Sequence, residues 1–290
     1  MTAGQGSFAR FAPFLFVFLW STGFIGAKFG LPYAEPLSFL LVRYLLVMGL
    51  MLPVALLTKA PWPRDARQWF HIGVSGILVH ATYLGGVFSS IAHGLPAGVS
   101  SLVVGIQPLL TAVGAGWLLG ERVVPRQWLG LVLGFAGVAL VLSNKLAGVA
   151  AWGPQVWPAL IALAGITAGT LYQKRFCPSF DLRTGAIAQF LPSAAVTFLV
   201  ASQVEGFRID WTPQFGFAMA WLVLVLSLGA ISLLNLLIRS GSAVNVASMF
   251  YLTPPSTALI AWFLFGETLT GLALVGMVLA VVGVYLSRKP

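Results

Sequence analysis

The chain has 290 residues, 59% of them hydrophobic and only 8% charged, where an ordinary soluble domain is about a quarter charged. That balance excludes a water-soluble globular protein, and a span of roughly 20 residues per bilayer crossing leaves room for about ten helices joined by short loops. The formal charge of +9 does not mark a nucleic-acid surface, because the basic residues stand between hydrophobic runs instead of gathering on one solvated face.

In chain order, apolar runs bounded by charge, Pro or Gly fall at about 11–30, 37–58, 69–92, 96–119 and 127–143, then at 154–173, 184–202, 215–238, 243–265 and 270–287. The first follows Arg10 and is succeeded by further spans, so it reads as an uncleaved helix and not as a signal peptide. Turn signals separate the runs: Leu31-Pro32, Ala60-Pro61-Trp62-Pro63, Gly94-Leu95-Pro96, Gly153-Pro154, Cys177-Pro178 and Thr212-Pro213. Cys177 is the single cysteine, which excludes an internal disulfide.

The loops set an orientation. With the N-terminus inside, one side collects Arg10, Lys59, Arg64, Arg67, Arg122, Arg126, Lys174, Arg175, Arg183, Arg239, Arg288 and Lys289, and the other only Lys28, Lys145 and Arg208. Cationic loops stay cytoplasmic during insertion, so both termini are expected in the cytoplasm of a cell with this protein in its inner membrane.

The two halves repeat. Adding 146 to a first-half position lands on a similar residue: Gly23 on Gly169, Lys28 on Lys174, Pro108 on Pro254, Gly120-Glu121 on Gly266-Glu267, Gly130 on Gly276 and Gly137-Val138 on Gly283-Val284. From Ala97 to Leu140 the register gives 14 identities in 44 positions. Five spans per copy is an odd number, so the second copy enters the membrane from the opposite side. The expectation is an all-α membrane protein of ten transmembrane helices in two inverted five-helix repeats, 8–146 and 154–290, with a substrate site near the midplane between them.

Polar groups at membrane depth face a cavity or a partner. All seven carboxylates (Glu35, Asp65, Glu121, Asp181, Glu205, Asp210 and Glu267) fall in loops or at helix ends, so the sequence offers no acidic proton relay or sodium site. His80 and Tyr83, one α-helical turn apart, share a face and are read as substrate groups; the alternative is a buried His bonded to a backbone carbonyl. Trp20 lies too deep for an interfacial belt and either stacks on substrate or packs in the core. Gln107, beside Pro108, contacts substrate or satisfies the carbonyl that proline leaves without a donor. Arg43, well inside the second span, bonds to carbonyls or holds a substrate carboxylate. Tyr251, Thr253 and Asn235 are weaker substrate candidates. Pro108, Pro254 and Pro255 supply bends at matching places and are read as hinges. The glycine pairs permit close helix approach, while Lys28, Lys174, Glu121 and Glu267 sit at helix ends where dipole pairing explains them.

Trp20-Ser21-Thr22-Gly23, Arg43, Leu118-Leu119-Gly120-Glu121, Tyr251-Leu252-Thr253-Pro254 and Leu264-Phe265-Gly266-Glu267 together resemble the drug/metabolite transporter superfamily, in particular its EamA-type ten-helix exporters. His80 and Tyr83 make the chain most similar to the bacterial aromatic amino-acid exporters. The resemblance implies a basket of helices around a central cavity and alternating access. One departure is that Arg43 pairs with Gln189 at the repeat offset, not with a second basic residue.

The function expected is export of amino acids, aromatic or hydrophobic, or of similar small metabolites. The partners are the small-molecule substrate and the lipid bilayer, with no nucleic acid, no cofactor, no metal and no catalytic residue; a monomer suffices, although the sequence leaves the oligomeric state open. Absence of carboxylates at depth favours facilitated transport, and the alternative is a proton-coupled drug or metabolite efflux pump. An intramembrane lipid-modifying enzyme is the rival from another class, but no His-Glu-x-x-His, paired acids or Ser-His-Asp set lies within the spans.

Overall fold

A computed structural model describes residues 3–143, 153–177, 179–265 and 269–288. Lys145, Pro178, Gly266, Glu267 and Lys289 lie outside the described residues. The described chain is helical, and its sole extended pairing is an isolated bridge between Ala34 and Ile209. Helix α1 spans Ala3–Gly30, α2 Pro36–Leu57, α3 Ala66–Ala92, α4 Gly98–Leu119, α5 Pro125–Val141, α6 Val156–Phe176, α7 Leu182–Val204, α8 Pro213–Ser240 and α10 Gly271–Ser287. Between the last two, α9 is a composite of Ala243–Met249, a 3-10 turn at Phe250–Leu252 and Thr253–Phe265. Six of these helices (α2, α3, α4, α6, α7 and α8) are long and apolar enough to cross a membrane, and shorter apolar helices accompany them.

The surface is apolar where a soluble protein is polar. Phe14, Leu57, Phe70, Trp117, Leu199 and Phe263 are all exposed, a distribution that hydrocarbon tolerates and water does not. Helix ends are stopped and capped by side chains. Gly120 takes a left-handed φ of 66° that ends α4, a conformation glycine adopts without cost. The adjoining Glu121 carboxylate then accepts from the Ala243 backbone N–H at 3.1 Å, where α9 begins. At the opposite kind of terminus, Lys174 Nζ donates to the carbonyls of Ile238 (2.9 Å) and Gly241 (2.6 Å) at the end of α8. Each charge sits on the helix pole of opposite sign.

Helices α5 and α10 run antiparallel in backbone contact. A Cβ added to Gly130 would lie 2.5 Å from the Gly283 carbonyl oxygen, and one added to Gly276 would lie 2.5 Å from that of Gly137. Helix α2 packs along α7 in the same antiparallel sense. Helix α1 lies against α8 and α9, and α6 against α3 and α4. Two hydrophobic clusters result. The larger joins α1, α2, α3, α7 and α8; the second joins α4, α5, α9 and α10.

Two helices depart from α geometry. Ile77–Leu84 in α3 and Leu222–Ala230 in α8 are π-helical, widened turns that occur often at functional sites. His80 and Tyr83 both lie in the π segment of α3, where the imidazole stacks on Phe190 and the phenol on Trp20. The hinge prolines also act differently from a kink within a continuous helix. α4 breaks at Gly105, so Gln107-Pro108 start a new helical segment, and Thr253-Pro254-Pro255 likewise start the last segment of α9. Proline at a helix start costs no hydrogen bond.

Candidate substrate site

Four of the residues singled out in the sequence, Trp20, Arg43, His80 and Tyr83, line one pocket with about 550 Å³ of empty space, including the part that opens outward. Its floor and walls are otherwise apolar, with Val79, Leu84, Val87 and Phe88 from α3 and Leu222, Leu226 and Ile231 from α8. Small residues on α1 allow this assembly. Cβ atoms added to Gly23 and Gly26 would reach Leu226 and Leu222 at 3.0 Å, so α1 seats directly on the π segment of α8.

Trp20 is wedged among aromatic rings. Its ring plane is 9° from that of Tyr83 with centroids 6.3 Å apart, and Phe250 meets it edge-on at 5.3 Å with Phe16 at 5.2 Å. Arg43 is 3% exposed, and its Nε donates to Ser227 Oγ at 2.9 Å. His80 is wholly buried and stacks on Phe190 at 4.2 Å. Neither of its ring nitrogens makes a hydrogen bond of normal geometry, while its backbone carbonyl accepts from the Tyr44 hydroxyl at 2.9 Å. The pocket thus combines flat rings, a cation and a buried imidazole. Among the described residues, no carboxylate lines it.

The other expected site residues lie elsewhere. Gln107 is buried outside the pocket, where its amide donates to Thr111 Oγ1 at 3.1 Å and its carbonyl oxygen has no partner. Tyr251 is packed in the second hydrophobic cluster with its ring against Gly134 and its hydroxyl unpaired. Thr253 is tied to α1 through its carbonyl, which accepts from Ser21 Oγ at 3.3 Å. Asn235 belongs to a ring of amides: Gln173 Nε2 donates to Asn235 Oδ1 (3.0 Å), Asn235 Nδ2 to Gln189 Oε1 (3.3 Å), and Gln189 Nε2 to Ser75 Oγ (3.1 Å) and Gln173 Oε1 (3.4 Å). Gln173 and Gln189 were not among the sequence candidates, nor was Ser227. Gln189 carried one signal, its alignment with Arg43 at the repeat offset. Arg43 on α2 reaches Ser227 on α8, and Gln189 on α7 reaches Ser75 on α3.

A second, wider recess opens at the surface beside the loops after α2 and α6, lined by Trp62, Arg64, Asp65, Asp181, Arg183 and Arg239. Among the described residues, no three His, Cys, Asp or Glu side chains gather as metal ligands.

A multi-pass helical membrane protein with a pocket between its helices is built as a membrane transporter is. The model of the EamA-like transporter family matches residues 8–143 and again residues 155–288, and the chain belongs to that family. It is 30% identical to an uncharacterized transporter, YvbV of Bacillus subtilis, over 93% of this chain and 88% of that one. An uncharacterized inner membrane transporter of Escherichia coli K12, YedA, is 28% identical over 95% and 91%. A protein of Salmonella typhimurium named as a probable amino-acid metabolite efflux pump is 26% identical over 96% and 93%. A solved crystal structure superposes with a TM-score of 0.79 over 97% of each chain at 19% identity, which bears on the fold alone.

Proposed function

We propose that this transporter exports amino acids, aromatic or hydrophobic, or similar small metabolites, by alternating access between two inverted five-helix halves, 8–146 and 154–290, in the bacterial inner membrane with both termini cytoplasmic. The observation that carries the reading is the pocket, where Trp20, Tyr83, His80 and Arg43 of the first half face Leu222, Leu226 and Ile231 of the second. A planar ring suits the aromatic wall, and the polar groups suit an amino-acid backbone.

Several features support the inverted repeat. The π segments of α3 and α8, and the breaks at Gly105 and Tyr251, recur at the 146-residue offset to within one position. Gly23 seats α1 on Leu226, and its counterpart Gly169 seats α6 on Val79 at 2.7 Å. Corresponding helices α5 and α10 lie antiparallel, as a two-fold axis in the membrane plane requires. Among the described residues the titratable groups of the pocket are Arg43, His80 and Tyr83, a set that supports transport.

With no carboxylate beside the pocket to exchange protons, the proposed mode is facilitated diffusion. The test is uptake of a panel of labelled amino acids into liposomes holding only this protein, without a pH or sodium gradient. Saturable flux of phenylalanine, tryptophan or leucine above empty liposomes is expected. No flux for any member, or flux only with an imposed proton gradient, refutes the facilitative reading; the second result points to His80 as a coupling group.

A further inference from the structure

We propose that the pocket selects aromatic monocarboxylates and holds them more tightly than the amino acids of the same skeleton; this rests on the reading of the pocket as the transport site. Among the described residues, Arg43 is the only permanent charge in the lining, and it is 3% exposed in a wall of apolar and aromatic side chains. Among the described residues, its Nε–H donates to Ser227 Oγ at 2.9 Å and its terminal N–H groups make no further hydrogen bond. That bond fixes the guanidinium on one edge and leaves its two terminal nitrogens together, the arrangement that receives both oxygens of a carboxylate end-on. A buried cation without a counter-ion is costly, so an anion that supplies one is favoured beyond its own contacts. The His80 ring lies in the same lining.

An ammonium group has no such complement. No Asp or Glu lines the pocket, and the His80 carbonyl is already taken by Tyr44. An α-amino acid brings its cation beside its own carboxylate, hence close to Arg43, and gives up water for ring faces alone. A carboxylate on the same ring and chain avoids that loss.

The test uses 3-phenylpropionate, phenylalanine and 2-phenylethylamine, which carry the same ring and two-carbon chain with the carboxylate alone, both groups and the amine alone. Neutral 3-phenylpropan-1-ol is the control. Affinities are measured by calorimetry at pH 7.5 on the full chain in nanodiscs, which avoids passive leak of weak acids through liposomes. The expected order is 3-phenylpropionate about tenfold tighter than phenylalanine, with the amine weakest. In Arg43→Gln the propionate loses about tenfold and the alcohol is unchanged. Phenylalanine binding as tightly as the propionate overturns the carboxylate inference and leaves amino-acid transport standing; so does an undiminished propionate affinity in Arg43→Gln. Failure of every ring-bearing probe to bind overturns the transport reading together with this inference. If Arg43→Gln does not fold, Ser227→Ala keeps the charge but frees its edge. The propionate preference should then fall about threefold, and an unchanged preference overturns the inference.

Discussion

Trp20 and Tyr83 hold their rings 9° from parallel at 6.3 Å, and both are nearly wholly buried, so each offers a flat wall whose orientation is fixed before substrate arrives. An aromatic pair is worth about 1 kcal/mol beyond burial, or about fivefold in an equilibrium constant. Tyr83→Ala should therefore lower phenylalanine transport at low substrate about fivefold or more and alanine transport much less. Gln107→Ala, which removes an amide committed to Thr111, should leave the phenylalanine rate within twofold; initial rates in liposomes check both. The grouping of Trp20, Arg43, His80 and Tyr83 was legible in the sequence because polar and aromatic side chains at depth need somewhere to go. The exclusion of Gln107 was not, because its partner Thr111 is one turn along the same helix and could as well have faced a cavity. The amide ring escaped for another reason: Gln173, Gln189 and Asn235 are brought together from three helices, and no spacing in the chain links them.

At the scale of elements, α5 and α10 meet backbone to backbone through glycines on both sides. A Cβ on Gly283 would meet the Gly130 carbonyl oxygen at 2.6 Å as well as the Gly134 backbone, so neither side can yield without the helices separating. Gly283→Ala should cost about 1–3 kcal/mol, seen as a lowered unfolding temperature of the purified protein. Gly49→Ala, where nothing lies within 4 Å, should be neutral or slightly stabilising. On the face opposite the wide recess, the loops after α1 and α7 exchange caps. Glu205 accepts from the N–H groups of Leu37 and Ser38, both at 2.7 Å, and Glu35 accepts from those of Arg208 and Gly206, both at 2.9 Å. The Arg208 N–H foremost, with that of Gly206, holds the Glu35 carboxyl below its usual range. A carboxyl with a lowered folded-state pKa stabilises above its unfolded value of 4.5 and loses that contribution as pH falls through the folded value. Unfolding temperature should accordingly drop below about pH 4.5 by less in Glu35→Gln than in the wild type. Helix positions were readable from hydropathy, but the π segments were not, because a helix apolar all round gives no phase from which a widened turn could be told.

For the whole molecule, the proposed orientation, with the basic loops inside, puts the wide recess by Arg64, Arg183 and Arg239 on the cytoplasmic side and the Glu35–Arg208 clasp outside. Single cysteines in a Cys177→Ala background test this: an impermeant reagent should label Arg208→Cys but not Arg64→Cys on intact cells. The amide ring of Gln173, Gln189 and Asn235 ties α6, α7 and α8 together. The most direct test of the central claim, gradient-free export through the pocket between the halves, is counterflow. Liposomes holding the protein are loaded with unlabelled phenylalanine and diluted into trace labelled phenylalanine without any ion gradient. The account predicts a transient overshoot of label inside, reduced severalfold in Tyr83→Ala. An overshoot that requires a proton gradient, or one of equal size in Tyr83→Ala, would contradict it.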